Sequence, residues 1–328
     1  MHGLWILAGA ALAVGAIIGW SRASRRRRAN ELRVAFLNCK RLVDPPKPTD
    51  TPLADRIRDL AETLLAATDG VAPEFMGLCE IGSKALAEQL GNEVGAGRYQ
   101  CLWSGVPSHP QRRIGLALLY DTLSADLAAP VTVEVDPGMN TGGRAHWMAA
   151  RMQLRRAKGD FCFWVVVNHW ASRRWPDADR IRSARQIGDL FQRNKARTPV
   201  MVLVGDFNAE PADVAFHKTR NILRAVRERS LVLRPGNDLA YFYNPMWRWL
   251  PEPDLWDADP PQRPPSRLLG TWCRNWAQRQ GWEVFDQLLV TRSGLIGPGL
   301  TLREPTVRVV EPVNACTDHC AIGASFRY

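Results

Sequence analysis

The first 30 residues contain no aspartate or glutamate. Inside them Gly3 to Trp20 carry no charge of either sign: 18 residues rich in Leu, Ile, Ala and Gly, followed by Arg22, Arg25, Arg26, Arg27 and Arg28. As a helix such a run is about 27 Å long at about 1.5 Å per residue, enough to cross a hydrocarbon core. Positive charge is also missing where a cleaved export signal would have it, ahead of the apolar run, since Met1-His2 offers none. The expectation is therefore a transmembrane anchor over residues 1–21 and a basic juxtamembrane linker over 22–30. A cleaved signal peptide is the alternative. The arginines beyond the run place everything after them on the cytoplasmic side of the cell membrane, where they can also grip anionic headgroups.

No Cys-x-x-Cys pair occurs. The cysteines number seven, Cys39, Cys79, Cys101, Cys162, Cys273, Cys316 and Cys320, an odd count with irregular spacing. This argues against a zinc-ribbon type of site and against a disulfide framework. They read as buried thiols in a reducing compartment, with a Cys316–Cys320 disulfide as the one local alternative. Repeats and domain linkers are absent after residue 30, so residues 31–328 are expected to form one domain. The chain has 328 residues, 46% hydrophobic and 23% charged, which suffices for a sizeable core. Half of its net charge of +10 belongs to the five arginines at the anchor. The remainder is mildly basic, compatible with a polyanionic substrate.

The domain is organised around Val200-Met201-Val202-Leu203-Val204-Gly205-Asp206-Phe207-Asn208. Five apolar residues predict a buried strand. In an extended chain residues i and i+2 point the same way, so Asp206 and Asn208 share one face at a sheet's mouth. The plain alternative is an Asx turn closing a strand. A helix is expected from about Pro211 to Arg229.

The same pattern recurs along the chain. Residues 32–37 alternate as a strand and deliver Asn38; residues 75–79 do the same for Glu80. Helical spacing of Ile57, Leu60, Ala61 and Leu64 predicts a helix over 52–67, opened by Thr51-Pro52, and Ser83 caps another through Leu90. Strands are expected at 99–103, 114–120, 131–135 and 147–154, with Arg112 and Arg113 in one connection and Arg144 in another. The most apolar strand, 161–167, ends in Asn168-His169-Trp170, and Asp177 caps the helix after it. Residues 241–282, dense in Trp and Pro, read as a long self-packed loop, the alternative being a substrate-facing insertion. A strand over 283–290 carries Asp286, and Thr317-Asp318-His319 leads into the last strand.

The order Asn38, Glu80, His169, Gly205-Asp206-Phe207-Asn208, Asp286, Asp318-His319 resembles the endonuclease/exonuclease/phosphatase superfamily, the DNase I-like fold, over roughly residues 31–328. That resemblance implies an α/β class, a four-layer α/β/β/α sandwich of two mixed β-sheets flanked by helices. It implies a phosphoester hydrolase using Mg²⁺, with Mn²⁺ as the other cation such a set accepts. Glu80 is the implied leading metal ligand, with Asn38 and Asp318 nearby. His319, oriented by Asp286, is the implied base or phosphate-orienting group; Asp206 and Asn208 position water and phosphate; His169 and Arg144 contact the scissile phosphate. Two departures stand out. No acidic partner for His169 can be named, because the corresponding loop offers Arg112 and Arg113. The Trp-Cys-Asp-Arg run of inositol-polyphosphate phosphatases is also absent, Trp272-Cys273-Arg274 lacking the acid.

The reading that follows is a membrane-anchored nuclease acting on DNA. A phospholipid or phosphoinositide phosphodiesterase or phosphatase is the alternative, and an inactive membrane-bound binding module a second one.

Overall fold

The computed structural model describes residues 30–44, 51–106, 114–130, 132–136, 143–155, 161–217, 223–234, 241–250, 270–275, 280–297 and 299–328. The expected anchor, its arginines and the Arg112–Arg113 loop lie outside these. No helix among the described residues is long and apolar enough to cross a membrane.

Two large mixed sheets face each other. The first runs in the order Thr301–Leu302, Ala321–Arg327, Glu31–Leu42, Phe75–Ile81, Gly115–Asp121, Tyr99–Trp103, with Arg308–Val310 also on Ala321–Arg327. The second runs Arg224–Val226, Tyr241–Tyr243, Asp286–Thr291, Met201–Asp206, Cys162–His169, Trp147–Leu154, Ala125–Leu127, with Val133–Val135 also on Trp147–Leu154.

The two-residue period of a strand explains the layers. Leu32, Val34 and Phe36 turn into the space between the sheets, where they meet Phe163, Val165, Val167, Val202, Val204, Leu288 and Val290. The residues between them face outward. Ala35, Leu37, Met76 and Leu78 pack under the helices Leu53–Ala66 and Lys84–Val94. Trp164, Val166, Met201 and Leu203 pack under the helix Asp177–Asn194 through Ala184, Ile187 and Leu190. Each fully buried large apolar side chain contributes about 1.5–3 kcal/mol, so these three clusters hold the sandwich.

Two glycines set its close approaches. A methyl on Gly77 would sit 3.0 Å from Val204 and 3.2 Å from both Phe36 and Val167, so its hydrogen lets the sheets meet. A methyl on Gly205 would run into Asn168, whose carbonyl oxygen lies only 2.5 Å from that position. Asn168 itself is fully buried, donating to the carbonyls of Val166 and Val204 and accepting from Trp170 Nε1.

Several local expectations are corrected. The single helix over 211–229 is replaced by a 3-10 turn Val214–Phe216, a strand Arg224–Val226 and a short helix Arg229–Leu233. Asp213 caps the turn, accepting from Ala215 N at 3.0 Å, and Phe216 leaves the helical path to pack on Trp170 and Phe207. Within 241–282 the chain forms strands Tyr241–Tyr243, Trp272–Asn275 and Gln280–Glu283 and a 3-10 turn Pro245–Trp249. The expected strand over 283–290 starts at Asp286, because Val284 and Phe285 turn inward to pack. Residues 176 and 52, both prolines, occupy the positions before their helices, so Asp177 lies in the first turn and is not the cap. Cys316 and Cys320 are free thiols, as are the other five.

Replacing Gly205 by alanine forces Asn168 off its three hydrogen bonds. We expect Gly205→Ala to lower stability by about 1–3 kcal/mol, read as a reduced urea midpoint.

Candidate active site

The inter-sheet rows that build the core do not end apolar. The row Leu32-Val34-Phe36 continues into Asn38, Phe163-Val165-Val167 into His169, Val202-Val204 into Asp206, and Asp286 precedes Leu288-Val290. Register aligns them: His169 pairs with Asp206 across a parallel ladder, and Asp206 with Asp286 across an antiparallel one. Asn38, His169, Asp206 and Asp286 are all buried.

Glu80 reaches the same pocket by a different route. Strict alternation would put it with Met76 and Leu78, facing the helices. Instead it has a left-handed backbone, φ 57°, at a register shift between Cys79 and Ile81. The bulge turns Glu80 inward and returns Ile81 to the outer face. On the paired strand Lys40 and Arg41 are left-handed too, φ 44° and 56°. Such residues cost about 1–2 kcal/mol each.

Asp206 is the hub. Its Oδ2 accepts from Asn38 Nδ2 at 3.0 Å and lies 3.8 Å from His169 Nε2 and 3.9 Å from His319 Nε2. Its Oδ1 accepts from Asn208 N at 2.8 Å, so the strand does end in an Asx turn, with Asn208 left-handed at φ 47°. Asn208 Nδ2 then donates to Trp170 O at 3.1 Å, which also accepts from Arg144 Nη2 at 2.6 Å. Phe207, between the two polar residues, is buried against Trp170 and Phe216 and anchors the turn.

His319 belongs to the last connection, before Ala321–Arg327. Both oxygens of Asp286 engage its Nδ1, at 2.8 and 3.1 Å, which leaves Nε2 facing the pocket. Thr271 supports the pair, accepting from Asp286 N at 2.8 Å through its hydroxyl and from Cys320 N at 2.7 Å through its carbonyl. Asp318 lies at the rim, partly exposed, with Oδ1 4.0 Å from His319 Nε2 and Oδ2 3.7 Å from Lys40 Nζ.

The two histidines differ in charge. Burial alone would lower the pKa of His319, but Asp286, then Asp206 and Asp318, raise it to about 10, so it is an imidazolium at neutral pH. Burial pushes His169 well below the ordinary range, and the guanidinium of Arg144, 3.1 Å from Nε2 and 3.2 Å from Nδ1, pushes the same way. His169 is neutral and Arg144 carries the charge on that side. Burial raises Glu80, and raises Asp206 to about 6, the attraction of His319 opposing it.

Asp206, Asp286 and His319 place one donor atom each within 4.8 Å of one another. His319 Nδ1 is spent on Asp286, however, so the hard donors open to a cation are the carboxylates. Glu80 Oε1 lies 3.5 Å from both His169 Nε2 and Asn38 Nδ2. Asn38 here donates its amide to Asp206 and Glu80, while Asn38 Oδ1 accepts from Lys40 N at 2.9 Å. Desolvated acids packed this closely suit a divalent cation, which would offset the burial that raises them and the repulsion between them.

All nine sequence-predicted site residues are therefore in or beside one pocket. Glu80 and Asp206 stand at the place of the acidic partner sought for His169. Sequence reading missed Thr271, Asn168, Arg56 and Lys40. Of these, only Lys40 had a signal, its place two residues after Asn38.

A two-sheet α/β sandwich with its polar cluster at the ends of the inter-sheet strands is the DNase I-like architecture. Residues 47–247 match the Endonuclease/Exonuclease/phosphatase family, and the chain belongs to it. Among solved structures it is similar to the human Nocturnin catalytic domain with bound sulfate (15% identity, 90% of this chain, 94% of that one, TM-score 0.55). It is also similar to a humanized D. rerio TDP2 (14%, 91% and 100%, TM-score 0.55) and to the endonuclease/exonuclease/phosphatase from Bacteroides vulgatus (12%, 90% and 98%, TM-score 0.57). At these identities the likeness is one of fold. No curated protein matches the chain.

The charge on His319 can be checked without a metal. In EDTA, the His319 ring resonances should titrate near pH 10, while His169 should show no titration at the ordinary histidine value of 6.5. The stability His319 contributes is whole below the ordinary value of 6.5 and is lost as pH rises through about 10. Asp286→Asn leaves burial as the ruling influence, so His319 should become neutral at pH 7. A ring that stays protonated there would sink this account.

Proposed function

We propose that this chain is a membrane-anchored, metal-dependent phosphodiesterase that hydrolyses nucleic acid, DNA in the first place. The observation that carries it is the convergence of Asn38, Glu80, His169, Asp206, Asp286 and His319, from both sheets, on one pocket with neighbouring polar atoms within 4 Å. Family members act on phosphoester bonds, and this pocket holds the side chains that such chemistry needs.

A divalent cation, Mg²⁺ or Mn²⁺, held by Glu80 with Asp318 and Asn38 beside it, would supply neutralisation of the phosphoryl charge. The chain's own groups do the rest. Asp206, fixed by Asn38 and Asn208 and with a pKa of about 6, is a carboxylate able to take a proton from an attacking water. His319 presents a charged N–H from Nε2 to the phosphoryl oxygens, held there by Asp286. Arg144 brings a second positive group from the opposite side, and the neutral His169 beneath it offers a hydrogen bond without repelling it. The net positive charge and the arginines after residue 21 favour a polyanion over a neutral ester.

The lipid reading rested on the tryptophans of 241–282. Three of those described are packed: Trp249 lies against the inter-sheet core under Arg248, Trp282 is buried, and Trp272 stacks on Phe285. This favours nucleic acid. The anchor at residues 1–21 keeps the domain at the cytoplasmic face of the membrane in this proposal, and deleting it should move the protein to the soluble fraction.

Full-length protein in mild detergent, incubated with plasmid, single-stranded DNA and RNA plus Mg²⁺, should cut DNA. Asp206→Asn and His319→Ala should each lower turnover by about 10²–10⁴ with unchanged circular dichroism, and Glu80→Gln should raise the Mg²⁺ requirement. Folded wild type that cuts none of the three removes the nuclease reading; turnover of phospholipid vesicles in its place would install the lipid one.

A further inference from the structure

The Glu31–Leu42 strand makes a detour at the site's mouth. Asn38 pairs with Cys79 and Leu42 with Ile81, so this strand carries two more residues than its neighbour over the same stretch. The surplus is absorbed by the consecutive left-handed residues Lys40 and Arg41. Two non-glycine residues in that conformation persist only where the surroundings insist on it.

Here they do. Arg56, from the helix Leu53–Ala66, is buried and donates from Nη2 to Cys39 O at 2.7 Å and Lys40 O at 2.5 Å. Thr317 Oγ1 donates to Asn38 O at 2.8 Å, and Lys40 N donates to Asn38 Oδ1. A buried guanidinium is costly to desolvate, and here it is set on the carbonyls of a strained turn. Besides holding Asn38 Oδ1, the turn sets the position of the Lys40 side chain, whose ammonium is 3.7 Å from Asp318 Oδ2 and which is about half exposed (54%). An exposed ion pair of that kind is too weak to account for two left-handed residues and a buried arginine. Asp318 in turn faces His319 Nε2, so Lys40 and His319 stand on either side of one carboxylate.

We infer that Lys40 is a phosphate-binding residue of the active site, resting on Asp318 until a substrate phosphate arrives, and that Arg56 is its positioning residue. This rests on the phosphodiesterase reading and extends it. With Arg144 on one side and Lys40 on the other, the pocket would hold two consecutive phosphates of a chain. A lone phosphomonoester would use only one of these contacts.

The test is equilibrium binding of a 5′-labelled single-stranded DNA to the full-length protein in EDTA, by anisotropy, over a range of salt. Lys40→Met should bind about fivefold more weakly at low salt, and its plot of log Kd against log salt should be shallower by about 0.7. Lys40→Arg should restore both. Arg56→Gln should weaken binding to the same degree, and the double variant should be no weaker than Lys40→Met alone, because Arg56 acts through Lys40. Arg56→Lys, which keeps the charge but loses the fork, replaces Arg56→Gln if that variant does not fold. Wild-type affinity and slope in Lys40→Met overturn the lysine's role, and an additive double variant overturns the positioning role of Arg56. Wild type that binds no DNA overturns the parent reading and this inference together.

Discussion

The site depends on one register. Because His169 lies opposite Asp206, and Asp206 opposite Asp286, three adjacent strands end their inward-facing rows at the same level. A one-residue slip in either ladder would turn the slipped strand's polar side chain out of the pocket and bring an apolar one in. The register is pinned by the core beneath it, where the valines of the same rows meet Phe36 and Phe75 across the sandwich. Packing and chemistry thus share the same alternation, and the stability of the apolar part fixes the geometry of the polar end.

The architecture was largely legible because it follows from that alternation. Strands with a polar residue at the tip announce themselves locally, and Asn38, Glu80, His169 and Asp206 were read that way, while Asp286 was read as an acid carried within a strand. His319 was found by its place before the last strand. What sequence could not show was how Glu80 gets in, since counting by twos sends it outward and only the bulge at φ 57° reverses this. Nor could it show that His319 and His169 carry different charges, because the difference comes from neighbours distant in sequence, Asp286 for one and Arg144 for the other. The misread stretch after Pro211 has a similar cause. A helix was expected there, but Phe216 is drawn into the Trp170–Phe207 cluster, and tertiary packing overrides local preference.

The electrostatics form a graded arrangement. Asp286 is consumed in stabilising an imidazolium, Asp206 stays available with a pKa of about 6, Glu80 faces His169 and Asn38, and Asp318 lies partly exposed at the rim. Four acids in one pocket would repel each other strongly without positive charge from Arg144, His319 and Lys40 among them. Each cation sits on a different segment, so the pocket is polarised, with acid at the centre and base around it.

One feature of the topology bears on when the site can form during synthesis. The strand Ala321–Arg327 is inserted between Thr301–Leu302 and Glu31–Leu42, and the segment just before it brings His319 to Asp286. Until that strand has emerged during synthesis, the first sheet has a gap beside Glu31–Leu42 and the imidazolium is absent. A half-made chain lacks His319 beside Asp286, and the assembled pocket exists only after nearly all of residues 31–328 have left the ribosome.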